Sequence, residues 1–263
     1  MLDLKPPKLY INGFPKSGLH LAERMTRPLF EPYNKDWVWY GTNPWTLEHL
    51  ALEKCVDIFT AVNDGEYVKG HTGYMAEIDQ LLDALQFIMV LVYRDLRDVV
   101  VSQAYHIMDD MDGALNHPGR EDYDCMTKHE IMLAVINGHG RWAGIFDRWK
   151  QYERWFTVPY VYRVRYEDML HKPERTAKLF FEWVYSVSIG KSGEPEAVID
   201  KVTKQDVINY IVNEMKQRNS DTYRKGNTGD WKREFTPEIV KAFKAADKTN
   251  ALYRLGYVKG KNW

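Results

Sequence analysis

The chain has 263 residues, with 36 Lys plus Arg against 37 Asp plus Glu and a formal net charge of −1, which excludes a nucleic-acid binder that works through bulk positive charge. A hydrophobic fraction of 44% with 28% charged residues excludes a disordered chain, and the length fits a single domain over residues 1–263. Two cysteines, Cys55 and Cys125, cannot build a disulfide scaffold, and the longest apolar run, Phe87 to Tyr93, is far short of the ~20 residues that cross a bilayer, so a soluble cytoplasmic protein with no membrane span is expected.

Lys8 to Asn12 forms a short apolar run that stops at Gly13-Phe-Pro-Lys-Ser-Gly18, and Leu21, Met25 and Leu29 at helical spacing predict a helix over Leu19 to Phe30. This is strand, glycine-bounded loop, helix. Phe87 to Tyr93 is the continuous apolar run of a parallel strand covered on both faces, ended by Arg94-Asp95 and followed by a helix from Val99. Val158 to Tyr166, rich in β-branched residues and tyrosine, predicts a third strand between helices at Lys128 to Trp155 and Pro173 to Val187. Helices are also predicted over Glu194 to Gln217 and Pro237 to Leu255, while Met108 to Asp124 and Arg224 to Phe235 read as irregular. Strands separated by helices imply an α/β fold, a central parallel sheet with helices on both faces, and the Gly13 to Gly18 loop gives it a P-loop-like outline.

A strand feeding a loop that opens a helix is an anion site, because N–H groups and the positive end of the helix dipole converge there. Gly13 and Gly18 have the spacing of the nucleotide-kinase P-loop, but Leu19-His20 stand where that loop has Lys-Ser/Thr, and Lys16 lies inside it. The missing hydroxyl is the usual magnesium ligand, so the chemistry is read as phosphate chemistry without a metal. Arg94, at the carboxyl edge of the central strand, is placed to fork onto a phosphate, with Ser102 two helical turns on. Arg224-Lys225-Gly226 reads either as a further anion-binding loop or as a solvated charge run.

Taken together, Phe14-Pro-Lys-Ser-Gly18, Tyr93-Arg-Asp-Leu-Arg-Asp-Val-Val-Val-Ser102, Arg165-Tyr-Glu-Asp-Met169 and Arg224-Lys-Gly-Asn-Thr-Gly-Asp-Trp-Lys232 resemble, in order, the signature stretches of cytosolic-type sulfotransferases. The resemblance implies 3′-phosphoadenosine 5′-phosphosulfate (PAPS) as donor, PAP as product, no metal, and a small acceptor with a hydroxyl group. It assigns Lys16, Ser17 and Gly18, bordered by Pro15, Leu19 and His20, to the 5′-phosphosulfate. It assigns Arg94, Ser102, Arg224, Lys225 and Gly226 to the 3′-phosphate and Tyr166 to the adenine side. Lys69-Gly-His71 resembles the family's Lys-x-His stretch, which makes His71 the catalytic base and Lys69 a supporting cation; His20 and His106 are the rival histidines.

The chain departs from the family where Leu19, His20 and Leu21 replace Thr-Thr-Trp, which leaves Trp231 or a tyrosine to stack on adenine. Anchoring on Met215-Lys216 puts Tyr210 and Val212 at the family's adenine-contacting Thr and Phe, and Pro237 and Lys241 break its dimer motif. Trp37 to Trp45, with Tyr74, Tyr105 and His106, is expected either to line an apolar acceptor pocket or to form core, and Met108 to Asp124 to act as a lid. The competing functions are a small-molecule P-loop kinase and a nucleotide-binding relic without catalysis. On the sulfotransferase reading, the neutral total charge conceals a local cluster of Lys16, Lys69, Arg94, Arg224 and Lys225 around one anionic ligand.

Overall fold

The structure is a computed structural model that describes residues 6–31, 38–39, 52–111, 120–192, 201–217, 226–260 and 263. Its elements in order are β1 (Leu9–Gly13), α1 (Leu19–Phe30), β2 (Val38–Trp39), α2 (Leu52–Thr60), β3 (Tyr67–Gly70), α3 (Ala76–Ala84), β4 (Ile88–Tyr93) and α4 (Leu96–Met111), then α5 (Lys128–Asn137), α6 (Ile145–Lys150) and β5 (Val161–Arg165). Among the described residues six helices follow β5: α7 (Tyr166–His171), α8 (Pro173–Ser192), α9 (Lys201–Lys216), α10 (Trp231–Glu234), α11 (Pro237–Ala246) and α12 (Ala251–Arg254); 3₁₀ turns at Arg120–Tyr123 and Glu153–Thr157 precede α5 and β5.

The five strands form one parallel sheet in the order β2-β3-β1-β4-β5. Because successive side chains of a strand point to opposite faces, each strand feeds two cores. Tyr10, Met89 and Leu91 pack with residues of α2 to α6, α11 and α12, whereas Leu9, Ile11, Ile88, Val90 and Val92 pack with α1, α7, α8 and α9. That alternation places helices on both faces, as expected. The chain leaves β1 towards one side, returns through β3, and crosses β1 to β4, so β1 lies where the order reverses, the place where open α/β sheets bind ligands.

Two predicted helices are shorter than their patterns. The stretch from Lys128 to Trp155 breaks at Gly138 (φ 90), and Gly144 lies so close to the Ile136 carbonyl that a Cβ there would come within 2.7 Å of it. Pro237 to Leu255 is interrupted after Ala246, with Asn250 in the left-handed region before α12. The expected loop at Met108 to Asp124 gives up its first four residues to α4 and Arg120–Tyr123 to a 3₁₀ turn; residues 112–119 lie outside the described residues. Two strands, β2 and β3, carried no strand pattern, being two and four residues long. Among the described residues no helix is long and apolar enough to cross a membrane.

Candidate active site

Phe14-Pro15-Lys16-Ser17 forms a tight turn closed by Ser17 N–H donating to the Phe14 carbonyl at 3.0 Å. Pro15 supplies the fixed φ of the second position, and Lys16 takes the third at φ 65, a left-handed conformation that favours glycine. Strain of this kind in a non-glycine residue is retained at functional sites. Gly18 (φ 97) then caps α1, its carbonyl accepting from Leu21 and Ala22, while the first-turn N–H groups, those of Leu19 and His20 included, have no helical carbonyl to pair with. Gly18 is required twice over, since a Cβ there would come within 2.3 Å of the Tyr166 ring. The Ser17 hydroxyl is buried with no hydrogen-bond partner among the described residues, a donor left for a ligand.

Arg94 follows directly from β4 and is buried across three sequence motifs. Its guanidinium lies 4.3 Å from the Tyr166 ring centre, reaches the Lys16 carbonyl at 3.4 Å and donates to the Asn227 carbonyl at 2.9 Å, while its Nε is buried with no partner among the described residues. The described segment from Gly226 onward packs through α10 against α4. Asp98, in the first turn of α4, holds it by accepting from Gly229 N–H at 2.6 Å and Trp231 N–H at 3.1 Å. Burial raises the Asp98 pKa, against the lowering effect of Arg94 and of those two N–H groups. Ser102 lies one turn beyond Asp98, on the same side of α4. Arg224 and Lys225 lie outside the described residues; Gly226, at φ 60, is within them. Glu167 closes this wall, accepting from Asp95 N–H at 3.1 Å and from the Tyr257 hydroxyl at 2.7 Å.

His71 lies just past the end of β3, half-buried, with Nδ1 2.6 Å from the Gly13 carbonyl oxygen. A carbonyl only accepts, so Nδ1 carries the hydrogen and Nε2 holds the lone pair. Burial lowers the His71 pKa from 6.5 to about 4, with Gly13 opposing and the charges of His20 and Lys16 adding to the fall. The imidazole is therefore neutral at pH 7 and in the tautomer of a base. Thr72, next in the chain, is fixed by the Asn12 amide, the Tyr10 hydroxyl and the Trp155 indole.

The expected cation Lys69 is placed differently. Its ammonium is buried 2.6 Å from the Glu23 carboxylate of α1, so the positive charge anticipated at the site is met by a carboxylate. Burial alone would raise the Glu23 pKa, but hydrogen bonds from His20 and Lys69 and the charges of Lys69 and Arg27 hold it down at about 2. His20 Nδ1 lies 3.7 Å from the same carboxylate.

Trp231 is not poised for adenine: the Arg97 guanidinium stacks on it at 3.9 Å, and Arg97 is itself paired with Asp95 at 2.6 Å. The aromatic at the anion loop is Tyr166, between Gly18 and Arg94. Val212 is in the core and Tyr210 is exposed on α9. Tyr105 donates to Glu234, and Tyr74 to Asp79. Apart from Val38 and Trp39, the aromatic stretch Trp37 to Trp45 lies outside the described residues. Sequence reasoning missed Asn12, Glu23, Asp98 and Glu167. Only Asn12 carried a signal, as a polar residue in an otherwise apolar strand. Among the described residues no group of three or more His, Cys, Asp or Glu side chains could hold a metal ion.

Comparison with known proteins follows the same outline. The chain is 26% identical over 162 residues to "Flavonol sulfotransferase-like" of Flaveria bidentis, an alignment covering 57% of this chain and 50% of that protein. It is 29% identical over 160 residues to sulfotransferase 1A1 of Rattus norvegicus, covering 56% and 50%. The matches thus span about half the length of these curated relatives. Among solved structures, mouse sulfotransferase SULT7A1 complexed with PAP superposes with a TM-score of 0.62 at 15% identity, covering 91% of this chain and 82% of that one. Retinol dehydratase in complex with androsterone and the inactive cofactor PAP gives 0.59 at 15% identity, covering 95% and 82%. The sulfotransferase domain family matches residues 6–253, nearly the whole chain, and the chain belongs to that family.

Proposed function

We propose that this protein transfers a sulfuryl group from PAPS to a hydroxyl of a small organic acceptor, with His71 as general base and Lys16 stabilising the leaving phosphate. The observation that carries the reading is the His71 Nδ1 to Gly13 carbonyl bond of 2.6 Å, which leaves a neutral imidazole with its lone pair on Nε2, immediately beside the anion-binding loop. Two buried donors with no partner among the described residues, Ser17 Oγ and Arg94 Nε, suit a ligand with several anionic oxygens. The donor supplies an already activated sulfuryl group.

Lys16, Ser17 and the first-turn N–H groups, with Pro15 and Gly18 setting their backbone, hold the 5′-phosphosulfate in this reading. Arg94, Ser102, Arg224, Lys225 and Gly226 hold the 3′-phosphate, and Tyr166 meets the adenine side. His71 Nε2 takes the acceptor proton as the new S–O bond forms, a contribution of about 10²–10⁴-fold. Lys16 and the loop N–H groups act on charge that grows at the leaving phosphate, so they favour the transition state over the ground state. Lys69 supports the site through Glu23 and α1. Cys55 and Cys125 form no disulfide among the described residues, which suits the reducing, cytoplasmic setting of this reading.

Calorimetry with adenosine 3′,5′-bisphosphate against ATP tests the donor: tight binding of ATP with no response to the bisphosphate overturns the reading. Transfer from labelled PAPS across a panel of alcohols, phenols and sugars tests the reaction and identifies the acceptor class.

A further inference from the structure

We infer that Asn12 is a positioning residue that registers the general base on the donor-binding loop. β1 is an interior strand covered on both faces, where a continuous apolar run is the norm. Position 12, fully buried on the same face as Tyr10, instead carries an amide. That amide makes a two-point bond with the backbone of Thr72: Nδ2–H donates to the Thr72 carbonyl at 2.9 Å, and Oδ1 accepts the Thr72 N–H at 2.9 Å.

The parallel ladder of β1 with β3 ends at the pair Asn12 and Gly70. The side chain of Asn12 extends that pairing two residues further, past the point where the backbone ladder stops. His71 is thereby held between Gly70, the last ladder residue, and Thr72, which is gripped also by the Tyr10 hydroxyl at 2.6 Å and the Trp155 indole N–H at 3.0 Å. The next residues are as tightly placed: Tyr74 N–H donates to the Gln151 carbonyl, and a Cβ on Gly73 would come within 2.7 Å of Gln151 Oε1. Consecutive residues of β1 therefore fix consecutive residues of the base segment, Gly13 to His71 and Asn12 to Thr72. Lys16 follows three residues after Gly13, so base and phosphate-binding lysine share one rigid frame. Misplacing a reacting group by 1 Å can cost on the order of 10²-fold in rate, which gives the amide a role even though it touches no reacting atom.

This inference rests on the reading of His71 as base, and the test separates the two. Asn12→Leu, of similar size, removes both bonds. Asn12→Asp keeps the acceptor for Thr72 N–H, while the Thr72 carbonyl keeps its Trp155 donor; it carries the test if the leucine variant does not fold. The expected result for Asn12→Leu is a kcat lower by about 10²-fold, with bisphosphate affinity and donor KM within about twofold of the parent, and most of the loss restored in Asn12→Asp.

Nitrogen-15 spectra of the His71 imidazole give a readout independent of turnover. The parent shows the Nδ1–H tautomer with a pKa of about 4; among the described residues, His20 and Lys16 are titratable groups whose charge lowers it. The leucine variant shows mixed tautomers and a pKa moved upward. Parent-like kcat and tautomer in both variants overturn the inference. So does a loss of bisphosphate affinity in step with kcat, which marks a merely structural role. A parent protein with the stated tautomer but no transfer to any acceptor overturns the functional reading instead.

Discussion

The two walls of the site are held by different physics. The wall made by the ends of β1 and β3 is fixed by neutral hydrogen bonds: the half-buried His71 to Gly13, and the buried Asn12 to Thr72 and Tyr10 to Thr72. The wall made by the ends of β4 and β5 with the segment after Gly226 is fixed by charged groups: Arg94 on two carbonyls and a ring, Asp98 on two N–H groups, Asp95 with Arg97. A proton acceptor needs an unvarying position and an unvarying charge state, which neutral bonds supply across a wide pH range. A multiply charged nucleotide needs fixed cations, and those must be held in place by other polar groups until the ligand arrives.

The largest expected effect separates the walls outright. His71→Ala lowers kcat by about 10²–10⁴-fold and leaves bisphosphate affinity unchanged, read by steady-state kinetics beside calorimetry. A parallel loss of affinity would show that the walls are not independent.

Lys69→Met comes next, because the Lys69–Glu23 pair is a buried ion pair behind the neutral wall. Removing one partner of a buried pair costs about 3–5 kcal/mol, measured by denaturant unfolding. Arg94→Ala follows. Loss of hydrogen bonds to a charged group, about 1.5–3 kcal/mol, weakens bisphosphate binding roughly 10- to 150-fold, with kcat at saturating donor little changed and a weaker dependence of binding on salt.

The smallest effect is expected near neutrality. The folded-state pKa of His71 is depressed to about 4 from 6.5, so the unfolded chain takes up a proton that the folded chain refuses. Stability from this group is complete above pH 6.5 and declines as pH falls towards 4. The acid limb of kcat/KM, which reports the free enzyme, accordingly lies near pH 4, and kcat/KM is flat from pH 6 to 8. A limb near 6.5 would show that the imidazole is solvated rather than held by Gly13.

Local pattern revealed a good part of this architecture. Leu19 to Phe30 forms the helix expected from its spacing, and the runs ending at Asn12 and Tyr93 are the interior strands β1 and β4, within one residue at each end. Apolar periodicity and a glycine-bounded loop are properties of neighbouring residues, so they survive without knowledge of the fold. β3 was not legible, because four residues containing Lys69 and Gly70 carry no strand signal until two partners pair with them. The breaks at Gly138 and Asn250 escaped for a related reason: apolar spacing continues across both, and only the backbone conformation interrupts it.

What the sequence by itself determined is the class of chemistry: a lysine inside a tight anion loop, an arginine at a strand end, and a histidine placed by resemblance to a sulfotransferase stretch. Which of these groups share a site was decided by the tertiary structure. It brings Gly13 to His71, 58 residues apart, and Asn12 to Thr72, 60 apart, and so selects the tautomer of the His71 imidazole. It turns Lys69 onto Glu23, 46 residues away, and takes Trp231 for Arg97. The reason is the parallel sheet. Its neighbouring strands are joined only through long crossovers, so each side chain at its carboxyl edge acquires partners from segments that no local pattern connects.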